Sequence, residues 1–180
     1  KRTIVTGDQL VNAGALLDNQ SGTPAVSIEL NKLGGDKMFK FTQDNVGKLI
    51  AAVYIETIPD VAGIRRVNDL PAALSDGAVM DWFSQKRRAA TGSDFAPHHL
   101  QQVVAIGCAL RSAHDLKVWS IGELDDAEPE LIRRFFDGIE KYTPQLVSWN
   151  GGGFDLPVLH YRGLIHGVQC ARYWDQGEDD

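Results

Sequence analysis

The sequence predicts an α/β domain, on two observations. From residue 100 onward the hydrophobic pattern reads strand, turn, strand, helix, strand, helix. Strands alternating with amphipathic helices build a sheet whose later strand lies parallel to the core. Ahead of this, residues 23–57 read as a local strand–helix–strand unit.

The elements follow in order. "TPAVSIEL" (23–30) alternates and is rich in strand formers, and Gly34-Gly35 then breaks the chain. "DKMFKFTQDNVGKLI" (36–50) spaces Met38, Phe39, Phe41, Val46, Leu49 and Ile50 loosely along a helix face. "IAAVYIET" (50–57) reads as a buried strand. Residues 58–99 mix short helical patches with turn residues, "DWFSQKRR" among them. That segment is long for a plain connector, so it reads as a functional insertion or a partly mobile loop. "LQQVVAIGCAL" (100–110) and "LKVWSIG" (116–122) flank a His114-Asp115 turn and predict a hairpin. "DAEPELIRRFFDGIEKY" (126–142) sets Leu131, Phe135, Phe136 and Ile139 on one helical face. "QLVSWN" (145–150) reads as a third, buried strand. "FDLPVLHYRGLIHGV" (154–168) starts a helix, with Pro157 in its first turn.

Composition bounds the classes. A chain of 180 residues, 43% hydrophobic and 23% charged, is ordinary for one globular domain or one and a half. No apolar run approaches the roughly 20 residues of a membrane helix. The opening "KRTIVTGDQ" has no apolar signal core. Cys108 and Cys170 are too few for a disulfide framework, and Cys108, inside "VVAIGCAL", reads as a core thiol. These features predict a cytoplasmic protein without membrane insertion. The net charge of −6 is uneven: residues 1–56 carry six basic and six acidic side chains, residues 57–180 twelve and eighteen. Such a chain is a poor passive binder of nucleic acid, because phosphate contacts dominate that affinity. Metal-dependent nucleic-acid enzymes remain open to it, since their ion-holding carboxylates are themselves acidic.

The stretch that carries chemistry is "SWNGGGFDLPVLH" (148–160). A strand ends at Asn150, three glycines turn the chain, and Asp155 opens a helix. Ligands sit at the carboxyl ends of strands in open α/β sheets. A helix N-terminus favours an ionised Asp155, and a carboxylate is a hard oxygen ligand for Mg²⁺ or Mn²⁺. Gly151, Gly152 and Gly153 let a nucleic-acid strand lie against the main chain, and Phe154 offers a ring for a base. The plainer alternative makes Asp155 an N-cap and the glycines a turn.

"LVSWNGGGFDLPVLHYRGLIHGV", with "RFFDGIEKYTP", "IETIPDVAG", "TGSDFAPHHLQQVVAIGCALR" and "RYWDQGE", resembles the predicted 3′–5′ exonucleases related to the proofreading domain of family-B DNA polymerases. These belong to the DEDD superfamily with a ribonuclease H-like fold. The resemblance runs over roughly residues 55–180 and implies a metal-dependent 3′–5′ exonuclease that hydrolyses phosphodiesters in DNA or RNA. It implies two Mg²⁺ or Mn²⁺ ions held by Glu56 and Asp155, a strand end oriented by Asn150, and Phe154 near the terminal base. The family's first block is Asp-x-Glu, whose two carboxylates share one strand face. Here it reads "VYIET", with Glu56 in place and Tyr54 where the Asp is expected. A neutral phenol is a poor Mg²⁺ ligand. The family's last block is expected beyond residue 180, so the resemblance implies a fold incomplete at its C-terminus and impaired catalysis.

Residues 1–57, above all "SGTPAVSIELNKLGGDKMFKFTQDNVGK", resemble the first periplasmic domain of the protein-export subunit SecD, a small α+β module without catalytic residues. The sequence thus predicts a SecD-like segment, 1–56, leading into a partial exonuclease-like domain, 57–180, with a join at Ile55-Glu56-Thr57. The alternative function this implies is a non-catalytic module of the export machinery.

Other motifs read plainly. His98-His99 lack a Cys or Glu at zinc spacing and read as loop. His160 reads as a surface histidine, "QKRR" (85–88) as a solvated helix end, and "DQGEDD" as a frayed terminus. Arg65-Arg66 reads as a solvated pair near enough to Glu56 for a phosphate contact. "GGGF" lacks the Gly-Lys-Ser/Thr of a phosphate loop.

Overall fold

A computed structural model describes residues 4–17, 24–112, 115–123, 125–148, 150–170 and 173 of the chain. The "RYWDQGE" block apart from Tyr173, the acidic tail, His114 and Trp149 lie outside the described residues.

A short 3-10 turn, Gly7–Gln9, leads into β1 (Leu10–Leu17), which pairs antiparallel with β2 (Pro24–Leu30). Helix α1 (Lys32–Asp44) follows, capped by Asn31, whose side chain accepts the Gly34 N–H at 2.9 Å. The helix starts earlier than the hydrophobic spacing suggests, because Asn31 supplies a cap that spacing ignores. β2 does not join the next strand's sheet, so the expected strand–helix–strand unit is split between two sheets.

The second sheet has the order β5-β4-β3-β6. Its strands are β3 (Ile50–Pro59), β4 (Gln101–Arg111), β5 (Leu116–Ile121) and β6 (Gln145–Val147). β4 and β5 form the expected hairpin, β3 pairs antiparallel with β4, and β6 runs parallel to β3. β3 is buried on one face only: Val53 and Ile55 point inward, while Tyr54 and Glu56 are exposed. β6 is shorter than its apolar letters suggest and partly exposed. The chain turns away at Ser148.

Helices α4 (Glu128–Tyr142) and α5 (Asp155–His166) cover the inward face. Leu131, Ile132, Phe135 and Phe136 of α4 meet Val158 and Leu159 of α5 over Val53, Ile55, Val103, Ile106 and Cys108. Burying such side chains contributes about 1.5–3 kcal/mol each.

Residues 58–99 are mostly helical and not the loop that one of the two readings expected. They form α2 (Val61–Val67) and α3 (Asp76–Thr91), capped by the Asp60 and Ser75 side chains. Ile64, Val79, Phe83, Ala96 and Leu100 make a second core beneath them. The basic run "QKRR" does close α3, as expected of a helix end. His98 and His99 lie in a 3-10 turn, His98–Leu100, leading into β4. No helix among the described residues is long and apolar enough to cross a membrane.

Candidate functional site

β6 pairs with β3 only as far as Ala52↔Val147. Beyond that pair no strand among the described residues lies on the β6 side of β3. The chain after β6 instead folds over the gap. Asn150 O accepts the N–H groups of Gly153 at 2.9 Å and Phe154 at 2.8 Å, which closes a tight turn. That turn delivers Asp155 to the strand, where its Oδ1 accepts the Ile55 N–H at 3.4 Å.

Asp155 is the first residue of α5, and the N-cap position is Phe154, which makes no side-chain cap bond. The carboxylate serves both β3, through the Ile55 N–H, and its own main-chain N–H at the start of α5. It is 6% exposed, and burial pushes its pKa up, against the lowering by the main-chain N–H groups of Asp155 and Ile55. The expected ionising effect of the helix N-terminus is outweighed by desolvation.

Next to Ile55, Glu56 stands on the exposed face of β3. The Tyr54 hydroxyl donates to Glu56 Oε2 at 2.7 Å. That bond, with burial and the charges of Glu56 and Asp155, raises the phenol's pKa, so Tyr54 stays a neutral donor. Tyr54 therefore stands within the electrostatic reach of both carboxylates. The register of β3 on β4 slips at this point: Glu56 pairs with Ala105 and Thr57 with Val103, leaving Val104 as a bulge. Bulges re-aim neighbouring side chains and raise local twist.

The three glycines differ in the room beside them. A Cβ on Gly151 would lie 1.7 Å from Ser148 Oγ, and one on Gly153 would lie 2.5 Å from Asn150 Oδ1. At both positions the space for a Cβ is taken by a side chain of the turn itself, Ser148 or Asn150. Only Gly152 faces open space, with nothing within 4 Å of an added Cβ. Asn150 is exposed at the mouth of this turn, and Phe154 packs half-buried on the main core.

The donor set bears on metal binding. Mg²⁺ takes one or two protein carboxylates and keeps several waters. Glu56 and Asp155 are two carboxylates of the type such an ion takes, Glu56 exposed on β3 and Asp155 buried at the Ile55 N–H. Among the described residues no group of three or more His, Cys, Asp or Glu side chains gathers to hold a metal. A two-ion donor set is not complete there.

Sequence reasoning missed the charged cluster behind the site. Arg162, 3% exposed, donates through Nε to Glu128 Oε1 at 2.8 Å and through Nη2 to Oε2 at 2.5 Å. Its Nη1 reaches Asp60 Oδ2 at 2.7 Å and the His99 carbonyl at 3.0 Å. Glu128 also accepts the Val103 N–H at 2.7 Å and contacts His166 Nε2 at 2.8 Å. The Val103 N–H sits beside the bulge, so Glu128 supplies a partner where the ladder is interrupted. Burial works to raise the Asp60 carboxyl, but the Gly63 N–H and the Arg162 guanidinium outweigh it and hold it below 3.8. Charge pairs that distant in sequence leave no local signal; the one hint was an Arg on the apolar α5. Arg65 also turns inward, to the Pro71 and Leu74 carbonyls and Asp76, rather than staying solvated.

Comparison with known proteins divides the chain. Residues 93–180 match the family model described as "Predicted 3'-5' exonuclease related to the exonuclease domain of PolB". Residues 1–80 match that of "SecDF, P1 head subdomain". β3 and Glu56 thus fall in the SecDF match, and Asp155 in the exonuclease match. The protein translocase subunit SecD of Pseudomonas aeruginosa is 45% identical over 56 residues, 31% of this chain and 9% of that protein. The SecD of Escherichia coli is 39% identical over 56 residues, again 31% and 9%. DNA polymerase 1 of Sulfurisphaera ohwakuensis is 47% identical over 51 residues, 28% of this chain and 5% of the polymerase. The chain therefore joins a segment similar to the SecDF P1 head to one similar to the predicted exonucleases related to PolB.

Proposed function

We propose that β3 and residues 57–180 act as a ribonuclease H-like, 3′–5′ exonuclease-type domain. Its substrate is the 3′ end of single-stranded DNA or RNA. Glu56 and Asp155 hold one Mg²⁺ or Mn²⁺, Asn150 and the Gly151–Gly153 turn border the strand end, and Phe154 lies near the terminal base. The observation that carries this reading is the docking of Asp155 on the Ile55 N–H, which sets a desolvated carboxylate beside the Glu56-bearing strand. The strand order, with three antiparallel strands and a parallel fourth, supports the fold assignment. With Tyr54 in place of a carboxylate, hydrolysis is slowed, since metal-ion stabilisation is worth several kcal/mol. The cellular site of this activity is the cytoplasm.

Titration calorimetry with Mn²⁺ tests the ion site. Weak binding that both Glu56→Gln and Asp155→Asn abolish is expected; no binding, or binding indifferent to both, contradicts the reading.

The SecDF match over residues 1–80 favours a second reading, a non-catalytic module of the protein-export machinery. It predicts no Mn²⁺ affinity and no effect of either substitution.

A further inference from the structure

We infer that Arg162 is a positioning residue for Asp155: its guanidinium ties the module of α2 and α3 to α5, and that tie sets where α5 delivers its carboxylate on β3. The inference rests on the exonuclease-type reading for what the carboxylate does, and on contacts alone for how it is held. The Asp155 Oδ1 bond to the Ile55 N–H, at 3.4 Å, lies beyond the usual N–H···O range. Such a bond does not fix a helix. Val158 and Leu159 seat α5 on the core, but apolar packing is non-directional. A second directional contact comes two turns on. Arg162 stands seven residues after Asp155, on the same face of α5. Its Nη1 donates to Asp60 Oδ2 at 2.7 Å and to the His99 carbonyl at 3.0 Å. Asp60 directly follows β3, five residues beyond Ile55. The β3 chain and α5 are therefore pinned at two rungs, Ile55–Asp155 and Asp60–Arg162.

Asp60 belongs to the module as well. Its Oδ1 accepts the Gly63 N–H at 2.8 Å as the N-cap of α2, and its own N–H donates to the Leu100 carbonyl at 2.9 Å. One carboxylate thus carries α2 on one oxygen and α5 on the other. The rest of the guanidinium is held by both oxygens of Glu128 at the start of α4. Glu128 is held in turn by the Val103 N–H beside the bulge and contacts His166, further along α5. A planar fork that spans two carboxylates has a defined orientation. A lysine ammonium, a point charge, does not reproduce it. Arg162 is 3% exposed, too deep to meet a substrate, so it acts through the elements it joins.

The test is amide hydrogen exchange by NMR on the metal-free, 180-residue chain. The quantity read is the rate at Ile55 relative to that at Ile106, its register partner in β4. Arg162→Lys keeps a cation beside Glu128 and gives up the fork. Asp60→Asn keeps an oxygen for the Gly63 N–H, so α2 retains its cap, and gives up the charge. Each should raise the Ile55-to-Ile106 ratio about tenfold. The double variant should raise it no further, because both changes break one link. Phe83→Leu, in the second core, is the destabilised control: it should lower Tm and leave the ratio unchanged. An unchanged ratio in either single variant, additive effects in the double, or an equal rise with Phe83→Leu overturns the tie. Mn²⁺ calorimetry on the same proteins should show several-fold weaker binding in both single variants. Parent-like affinity in both, with the parent binding the ion, overturns the positioning role. A parent without Mn²⁺ affinity defeats the ion site while the exchange ratio still decides the tie, so the two failures are told apart.

Discussion

The Tyr54 hydroxyl donates to Glu56 Oε2 at 2.7 Å along the outer face of β3, and the Asp155 carboxylate binds the Ile55 N–H between them. A phenol thus occupies the position from which a second carboxylate would share a cation with Glu56. Its hydroxyl engages the very group a metal would need.

Removing that hydroxyl should release Glu56. Tyr54 is 62% exposed, so Tyr54→Phe should change stability by about 0.5 kcal/mol or less. Mn²⁺ affinity should rise about twofold, as the lost bond is worth about 0.5 kcal/mol at this exposed site. Calorimetric titration of both proteins checks this; an unchanged or lower affinity counts against the pairing.

Asp155 gives a pH test. Burial raises its folded pKa above the ordinary 3.8. A raised carboxyl favours the folded state below the unfolded pKa, and that benefit is lost as pH rises through the folded pKa. Metal-free Asp155→Asn should therefore gain stability relative to the parent at neutral pH, and the gain should vanish in acid. Urea melts at pH 3.5 and 7.5 in EDTA measure it. A neutral-pH loss would mean that the Ile55 hydrogen bond outweighs desolvation.

The buried Arg162 cluster should behave in the opposite sense. Arg162→Met strands Glu128, whose side chain is 4% exposed, at a cost of about 3–5 kcal/mol. In a chain of this size that lowers Tm by roughly 6–20 °C. Asp60, held below 3.8, contributes stability that is present above that pH and lost as pH falls through its folded pKa. The parent's advantage over Asp60→Asn should thus shrink in acid. Thermal melts across pH 2.5–7 check both statements.

Cys108 is buried, and desolvation pushes its thiol up to about 11. It should resist a thiol reagent at pH 8 in the native protein and react fully in denaturant. Rapid native labelling at Cys108, located by peptide mapping, would contradict its place in the core.

Legibility followed the range of the interactions. α4, α5 and the β4–β5 hairpin were readable because period and turn residues are local signals. α2 and α3 were hidden by their short apolar spacing, although Asp60 and Ser75 stood at their starts as cap residues. β1 was missed because Asn12 and Gly14 interrupt "LVNAGALL". At the site, the sequence singled out Glu56 and Asp155, while their surroundings are set by contacts it does not spell out. The Gly151 and Gly153 contacts are with Ser148 and Asn150 side chains, and the desolvation of Asp155 comes from the fold around it. Arg162 and Glu128 are 34 residues apart, a distance that no spacing rule spans.

The most direct test of the central claim, that the outer face of β3 and Asp155 form a divalent-cation site, is the Mn²⁺ dependence of melting for the parent and Tyr54→Asp. The new carboxylate would share one strand face with Glu56, near Asp155. Without metal, three crowded carboxylates should lower the Tm of the variant below that of the parent. Millimolar Mn²⁺ should then raise the variant's Tm by several degrees more than the parent's, because the ion binds the folded state alone. Equal metal shifts in the two proteins would mean that position 54 does not face the site, and the account of Glu56 and Asp155 as its ligands would fall.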